Sequence, residues 1–432
     1  MEKIKKPLII LIIFLAFIAA LPIIVPLQLF SGDATRLLQR ITHSNIQLQQ
    51  LGFEYSPRPA LVLQDITIDG DPAIGHIEYI RVPLTMYNVL HWGRDLREVT
   101  VEGGHFSPQW ALQLPQKLRP QSGEATIHFA DLHLVRTSIV RNNGEVGPVD
   151  GVLKFDSGSN LAGLTVSDST GRMTLEILPQ GSDFATTLNA SGWDVPLGYP
   201  VHFDSLQLKG IANQNGLQIT EIHGELYSGV LSGTARVDWT DGWKLTGTVH
   251  GSSVQAEPLS KLFNPTTFVS GRIEGDANFS YAGDSYQTLL ATPQIESTMT
   301  IKQGAIHNFD LIAPLKSTVP VTYARGGITR FDTLTGGMNI ANHVVLFSNV
   351  KVDAGKFVAT GAMKVEPGNK LSGGAQARLQ AGVIAASSQI RIGGKLEAPV
   401  FQTGGAWRQG HDDALEQADK VQTKEPPPPA DD

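Results

Sequence analysis

The 432-residue chain has no cysteine, which excludes disulfide frameworks, thiolate-held zinc or iron–sulfur clusters and thiol catalysis together. Charge is scarce as well. Asp, Glu, Lys and Arg make up 17% of the residues, and the net charge is −7. Seven carboxylates against two lysines between Gly410 and Asp432 give −5 of that −7, so the rest of the chain is nearly neutral. A body without a strong positive field does not steer polyanions, which argues against a nucleic-acid binder.

Catalytic signatures are missing too. The sequence holds no Gly-x-Ser-x-Gly elbow, no His-Glu-x-x-His motif and no Walker A loop; Gly355-Lys356 and Gly394-Lys395 lack the glycine five residues upstream. His128 and His133 lie among the alternating residues Ile127–Leu134, where an offset of five puts them on opposite faces of a straight strand. A shared metal there requires a bend. Asp69-Gly70-Asp71 reads as a turn rather than a calcium loop. Trp239 and Trp243 bracket Thr240-Asp241-Gly242 as a cross-strand aromatic pair at a hairpin does, and a sugar-stacking platform is the rival reading. Carboxylates that meet only in space leave no local signature, and none ranks above another here. The sequence gives no reason to expect an enzyme, a metal or a cofactor.

One long apolar run is present. Lys3, Lys5 and Lys6 precede 24 uncharged residues, Pro7 to Phe30. At ~1.5 Å per residue they reach about 36 Å as a helix, more than a hydrocarbon core of ~30 Å. The apolar character continues through Ile23, Ile24, Val25 and Leu27, beyond the ~7–15 residues of a cleaved signal segment, for which Ala16, Ala19 and Ala20 are a weak cleavage region. The run is therefore expected to be a retained single-pass anchor through Leu8, Ile12, Phe14, Phe17 and Leu21. The lysines place its N-terminus in the cytoplasm, and the absence of thiols suits an oxidising exterior such as a bacterial periplasm.

Beyond the anchor, Asp33 is placed to cap a short helix with the stripe Leu37, Leu38 and Ile41. From about Leu48 the period falls to two, with Leu61, Leu63, Ile66 and Ile68 alternating with polar or turn residues. A second helix is expected from Pro83, carrying Leu84, Tyr87, Val89 and Leu90 and ending at Gly93. From Leu96 to Trp407 nearly everything reads as strand. Met173, Leu175 and Ile177 alternate with Arg172, Thr174 and Glu176, and Leu217 and Ile219 with Gln218 and Thr220. Turn signals recur at Asn142-Asn143-Gly144, Asn215-Gly216, Asp241-Gly242 and Pro367-Gly368. Glycine, at 44 residues, is about 10% against the usual ~7%. The pattern describes a long antiparallel meander with a brief helical interruption near Pro258–Phe263.

Such a meander has one polar and one apolar face. Some twenty-five strands at ~4.8 Å each extend about 120 Å, far more apolar surface than a soluble monomer leaves bare. Periodicity alone favours a closed sandwich or barrel with a dry core. An open groove that shields acyl chains satisfies it too, since each buried CH₂ gains ~0.8 kcal/mol.

Particular stretches resemble the AsmA-like envelope proteins. Gly224-Glu-Leu-Tyr-Ser-Gly-Val-Leu-Ser-Gly-Thr-Ala-Arg-Val-Asp-Trp239, then Leu245-Thr-Gly-Thr-Val249 and Glu257-Pro-Leu-Ser-Lys-Leu-Phe263, are similar to that family's repeated unit. Thr329-Arg-Phe-Asp-Thr-Leu334, Val350-Lys-Val352, Gly361-Ala-Met-Lys-Val365 and Gly393-Gly-Lys-Leu-Glu-Ala-Pro-Val-Phe401 are similar to its C-terminal region, and Leu61-Val-Leu-Gln-Asp-Ile-Thr-Ile68 to its chorein-like start. The motifs are turn-and-strand patterns, and they cover nearly the whole body after the anchor.

The resemblance implies a mostly β protein: one N-terminal transmembrane helix, then an elongated, curved antiparallel β-groove with a few short helices. It divides the chain into an anchor (1–31), a chorein-like start (32–120), a repetitive β-groove with the AsmA-like C-terminal region (121–408) and an acidic, Pro-rich, disordered tail (409–432). It implies inner-membrane anchoring, a periplasmic body, phospholipid as partner and a part in moving lipid toward the outer membrane. Ile127, Phe129, Met173, Leu175, Ile177, Leu217 and Ile219 are the candidate groove positions, each equally readable as ordinary core. Because bridging members of the family are generally longer, a partner protein on an open terminal strand near Arg391–Phe401 is a further expectation. The alternative is a scaffold or assembly factor for outer-membrane proteins or envelope complexes, pairing with client strands rather than lipid.

Overall fold

A computed structural model describes residues 27–119, 127–141, 144–168, 170–197, 199–316, 320–324, 326–381 and 384–403. The expected anchor positions and the acidic tail lie outside the described residues. Among the described residues no helix is long and apolar enough to cross a membrane. The described residues are mostly β, with 66% of them in strands and few in helices, as alternation and turn spacing require. Its residues fall into two compact units, one holding the chain to Leu188 with Ile211–Asn215, the other Asn189–Gly210 with Gly216 onward.

In the first unit a 3-10 turn (Leu27–Phe30) leads into α1 (Ser31–Thr42), β1 (Ile46–Glu54), β2 (Ala60–Ile68), β3 (Gly75–Pro83), α2 (Met86–Leu90), β4 (Asp95–Leu96), β5 (Val99–Phe106) and α3 (Pro108–Lys117). There follow β6 (His128–Phe129), β7 (Asp131–Arg141), β8 (Gly144–Phe155), β9 (Leu161–Ser167) and β10 (Met173–Gln180). β11 (Asp183–Pro196) passes from the first unit into the second after Leu188, and β12 (Pro200–Ala212) belongs to the second up to Gly210. The ladder β1–β2–β3–β5 and β7–β8–β9–β10 is antiparallel. β5 and β7 pair in parallel, the consequence of a long crossover that includes α3.

Two helices cover the first strands. Leu38 of α1 and Leu114 of α3 pack on Ile46, Leu63, Ile66, Ile68, Ile77 and Trp110, and Leu37 and Ile41 of α1 pack on Val82, Leu96, Val99 and Ile127. The Leu37/Leu38/Ile41 stripe thus serves the core it was expected to serve. Asp33 does not cap α1. The N-cap is Phe30 without a side-chain bond, and Asp33 sits in the first turn paired to Arg36 at 3.1 Å. Pro83 is the last residue of β3 rather than the first of a helix; the turn begins after Thr85, whose side chain accepts from Asn88 N. Helix α3 was not anticipated: its Ser107 cap, Pro108 start and Trp110/Leu114 spacing were a signal, obscured by Pro115 within it.

The second unit holds β13 (Gly216–Leu226), β14 (Gly229–Asp238), β15 (Trp243–Gln255), α4 (Ala256–Lys261), β16 (Val269–Gly283) and β17 (Gln294–His307). It continues through a 3-10 turn (Ala313–Lys316), β18 (Val321–Ala324), β19 (Ile328–Ala341), β20 (Val344–Ala354), β21 (Phe357–Glu366), β22 (Lys370–Ala381), β23 (Ile384–Lys395) and β24 (Ala398–Thr403). Helix α4 falls where the Pro258–Phe263 interruption was read. The ladder runs β13–β14–β15–β16–β17–β19–β20–β21–β22–β23–β24–β18, antiparallel throughout and unclosed.

β17 and β24 are six ladder steps apart, about 29 Å if the sheet were flat. Yet Ile301 of β17, Ile390 and Ile392 of β23 and Phe401 of β24 belong to one packed cluster. The sheet therefore curls, with the cluster on its inner side. Residues from Asn308 onward leave β17, enter this curl through Phe309 and Leu311, and reach β18 on the outer edge of β24 before β19 returns beside β17.

Candidate apolar binding face

Directly opposed residues on paired strands share a face, so the register sorts the side chains of β13–β17 away from the bulges at Ile219/Ile222, Gly251/Val254 and Ser270/Arg272. Val237 opposes Leu245, Leu245 opposes Tyr281, Val249 opposes Ala277 and Gly247 opposes Phe279. Phe279 opposes Ile295, and Ile295 opposes Ile340. The other face carries Thr234, Thr248, Asn278 and Glu296 in opposition, with His250 Nδ1 2.8 Å from Asp276 Oδ1. One face is carbon and the other is polar.

Burial changes along the carbon face. Near β24 it is sealed: Phe309 is 5% exposed, Leu311 4%, Phe331 4% and Phe401 2%. Phe309 meets Phe401 edge to face with centroids 4.6 Å apart. Thr329, wholly buried, donates its hydroxyl to Phe309 O at 2.7 Å and accepts from Leu311 N at 2.9 Å. Across β13–β17 the apolar residues Leu217, Leu231, Val237, Leu245, Val249, Ala277, Phe279, Ile295 and Met299 are only half-buried. The one α-helix among the described residues of this unit, α4, is six residues long. A sheet side with a dry core has these positions buried. Here they remain within reach of solvent.

Glycines set the relief of the face. A Cβ on Gly247 would come 2.4 Å from Phe279 Cζ and 2.6 Å from Thr234 O, so the Phe279 ring lies across a strand with no side chain beneath it. Ring-over-glycine placement of this kind covers the bare backbone of a strand. Gly304 and Phe331, also directly opposed, repeat it: a Cβ there would be 2.6 Å from Phe331 Cζ. At one border Tyr281 is 2% exposed and donates its hydroxyl to Leu197 O at 3.3 Å, and burial pushes its pKa up to about 12.

The sequence candidates are distributed over both units. Ile127, 5% exposed, packs with Val82, Leu96 and Val99, and Phe129 is half-buried with its ring 6.0 Å from Phe155. Met173, Leu175 and Ile177 are half-buried on β10, the last two opposite Val166 and Leu164. Leu217 is half-buried and Ile219 7% exposed on β13, opposite Val237 and Ala235. Sequence reasoning did not single out Leu245, Val249, Phe279, Ile295 or Met299. Their signal was the alternation of Leu245-Thr-Gly-Thr-Val249 and of Ile273 through Phe279 with small residues between.

Other candidates resolve locally. His128 Nδ1 lies 2.9 Å from Ser159 Oγ and His133 Nε2 3.6 Å from Asp131, on two separate strands. No group of three or more His, Asp or Glu that could hold a metal occurs among the described residues. Asp69-Gly70-Asp71 is a turn, with Asp69 and Gly70 both at positive φ and Asp71 N donating to Ile68 O. Trp239 and Trp243 pair across their hairpin at 5.6 Å, with Tyr286 6.1 Å from Trp243. The terminal strand β24 is paired with β18 over Val400–Thr403.

Residues 198–346 match the AsmA family. No curated protein and no solved structure matches the chain.

Proposed function

Starting from an AsmA-like protein, which the match over residues 198–346 supports, we propose that the chain is a non-enzymatic, inner-membrane-anchored periplasmic protein that shields phospholipid acyl chains on its apolar β-face and takes part in lipid movement toward the outer membrane. The observation that carries this reading is the half-buried row Leu245, Val249, Phe279 and Ile295 on a sheet whose other side is polar. An acyl chain of about 16 carbons laid half-shielded along such a row gains ~6 kcal/mol at ~0.8 per CH₂. The head group stays in water.

Met173, Leu175 and Ile177 extend the reading to β10, and Leu217 to β13; Ile127, Phe129 and the buried Ile219 stand nearer to core. The sealed cluster around Phe309 and Phe401 defines where shielding stops in the second unit. No step of this mechanism consumes energy, so direction comes from a gradient or from a partner. The test is mass spectrometry of the purified full chain. Phospholipid is expected to co-purify and to be reduced several-fold by Phe279→Asp; a lipid-free chain contradicts the reading.

A further inference from the structure

Helix α2 and its flanks are built inside out. Asn88 is fully buried: its Nδ2 donates to Pro83 O at 2.8 Å and Arg97 O at 2.9 Å, and its Oδ1 accepts from Arg97 N at 3.0 Å. Tyr87 donates its hydroxyl to Asp95 and lies under the Arg97 guanidinium, 3.8 Å from the ring centroid. These bonds fix the turn from within. On the opposite side, at the i, i+3, i+4 spacing that shares a helix face, Met86 is 78% exposed, Val89 54% and Leu90 73%, with Trp92 at 50% just beyond. A turn held rigid by polar contacts inward and presenting carbon outward is the reverse of ordinary burial.

The patch is near where the long apolar run enters the first unit. Leu29 and Phe30, the end of that run, are 76% and 50% exposed. Gln28 beside them docks on β1, its side chain donating to Gln49 O at 2.9 Å and accepting from Leu51 N at 3.1 Å. Leu51 is three residues, about 10 Å, from Glu54 at the end of the strand. Glu54 opposes Ala60, and Ala60 opposes Pro83, from which the α2 loop departs. Leu84 N donates to Pro59 O at 2.8 Å, holding the loop there. Exposed Tyr55 is at this end as well.

We infer that this end of the first unit, through Met86, Val89, Leu90 and Trp92, is a second membrane contact that lies in the lipid–water interface beside the anchor. Aliphatic side chains with Trp, His91 and Arg94 around them are the composition of an interfacial element. The uncharged run that leads into the docked Leu27–Phe30 turn supplies the occupant, because a bilayer crossed by the 20 residues before Leu27 is the apolar surface next to the patch. The contact fixes the body's tilt and gives a tethered lipid carrier a defined mouth at the bilayer. It rests on the anchoring in the proposed function, not on lipid occupying the β-face.

Because the chain has no cysteine, single labels report cleanly. The full chain with Leu90→Cys carries an environment-sensitive fluorophore in vesicles of phosphatidylethanolamine and phosphatidylglycerol. Ser182→Cys, in the exposed turn after β10, is the reference. Both side chains are surface positions, so both variants fold. The label at 90 is expected to be several-fold less quenched by iodide than the label at 182, and to be quenched by lipid-borne bromine. Equal iodide quenching at both sites in floated protein overturns the contact while leaving the anchor standing. A chain that does not float overturns both. Protection at 90 that vanishes on diluting the protein among more vesicles overturns it in favour of a second copy.

Discussion

At Gly247 the β-face depends on a missing atom. Any Cβ there collides with the Phe279 ring and with Thr234 O, and the second contact is backbone that does not yield cheaply. Gly247→Ala is expected to destabilise the second unit by ~1–3 kcal/mol, read as a lowered urea midpoint in Trp fluorescence. Tyr281 makes a different prediction. Its pKa is about 12 against an ordinary 10.0, so the folded state binds the phenolic proton more tightly than the unfolded chain does. The associated stability is fully present below about pH 10 and is lost as pH rises toward about 12. Tyr281→Phe is expected to flatten that slope in unfolding curves between pH 9 and 12; an unchanged slope contradicts the assignment. Neither feature was legible as such. Glycine punctuation was plain in the sequence, but which aromatic ring it accommodates depends on strand register.

Among the elements, the segment between β17 and β18 decides where the face ends. It is held at several polar points, among them Asn308, which donates to Thr267 and Glu397 O, and Thr329, which satisfies both Phe309 O and Leu311 N in a dry site. Thr329→Val leaves both unpaired and is expected to cost ~2–4 kcal/mol, with faster amide exchange at Leu311 as the local readout; Thr329→Ser keeps the hydroxyl and is expected to restore most of the protection. The hairpins at Asp241-Gly242 and Pro367-Gly368 were legible because a turn's demand for positive φ is local, and Gly242 and Gly368 indeed take it. The sealing segment was not. Phe309, Leu311 and Leu315 have no strand or helix period, and the pairing of Val321 with Thr403 is a long-range choice that no window of sequence contains. The same holds for α2, whose Val89 and Leu90 read as ordinary apolar helix residues until Asn88 is seen to take the interior.

For the chain as a whole, the two readings that periodicity left open, dry core and open face, occur side by side in the second unit. Its curled end is packed on Phe309, Leu311, Phe331 and Phe401, and its β13–β17 side keeps apolar residues half-buried. The strand-dominated architecture was legible from alternation and turn spacing. The boundary between sealed and unsealed face was not, because Ile295 and Ile301 on one strand carry the same side chain and differ only in what lies over them. The decisive measurement places a photo-reactive phenylalanine analogue at Phe279 or at Phe401 in the full chain and irradiates it in native membranes. Phospholipid adducts are expected at 279 and none at 401. Absence of lipid at 279, or equal labelling at both positions, contradicts the open face.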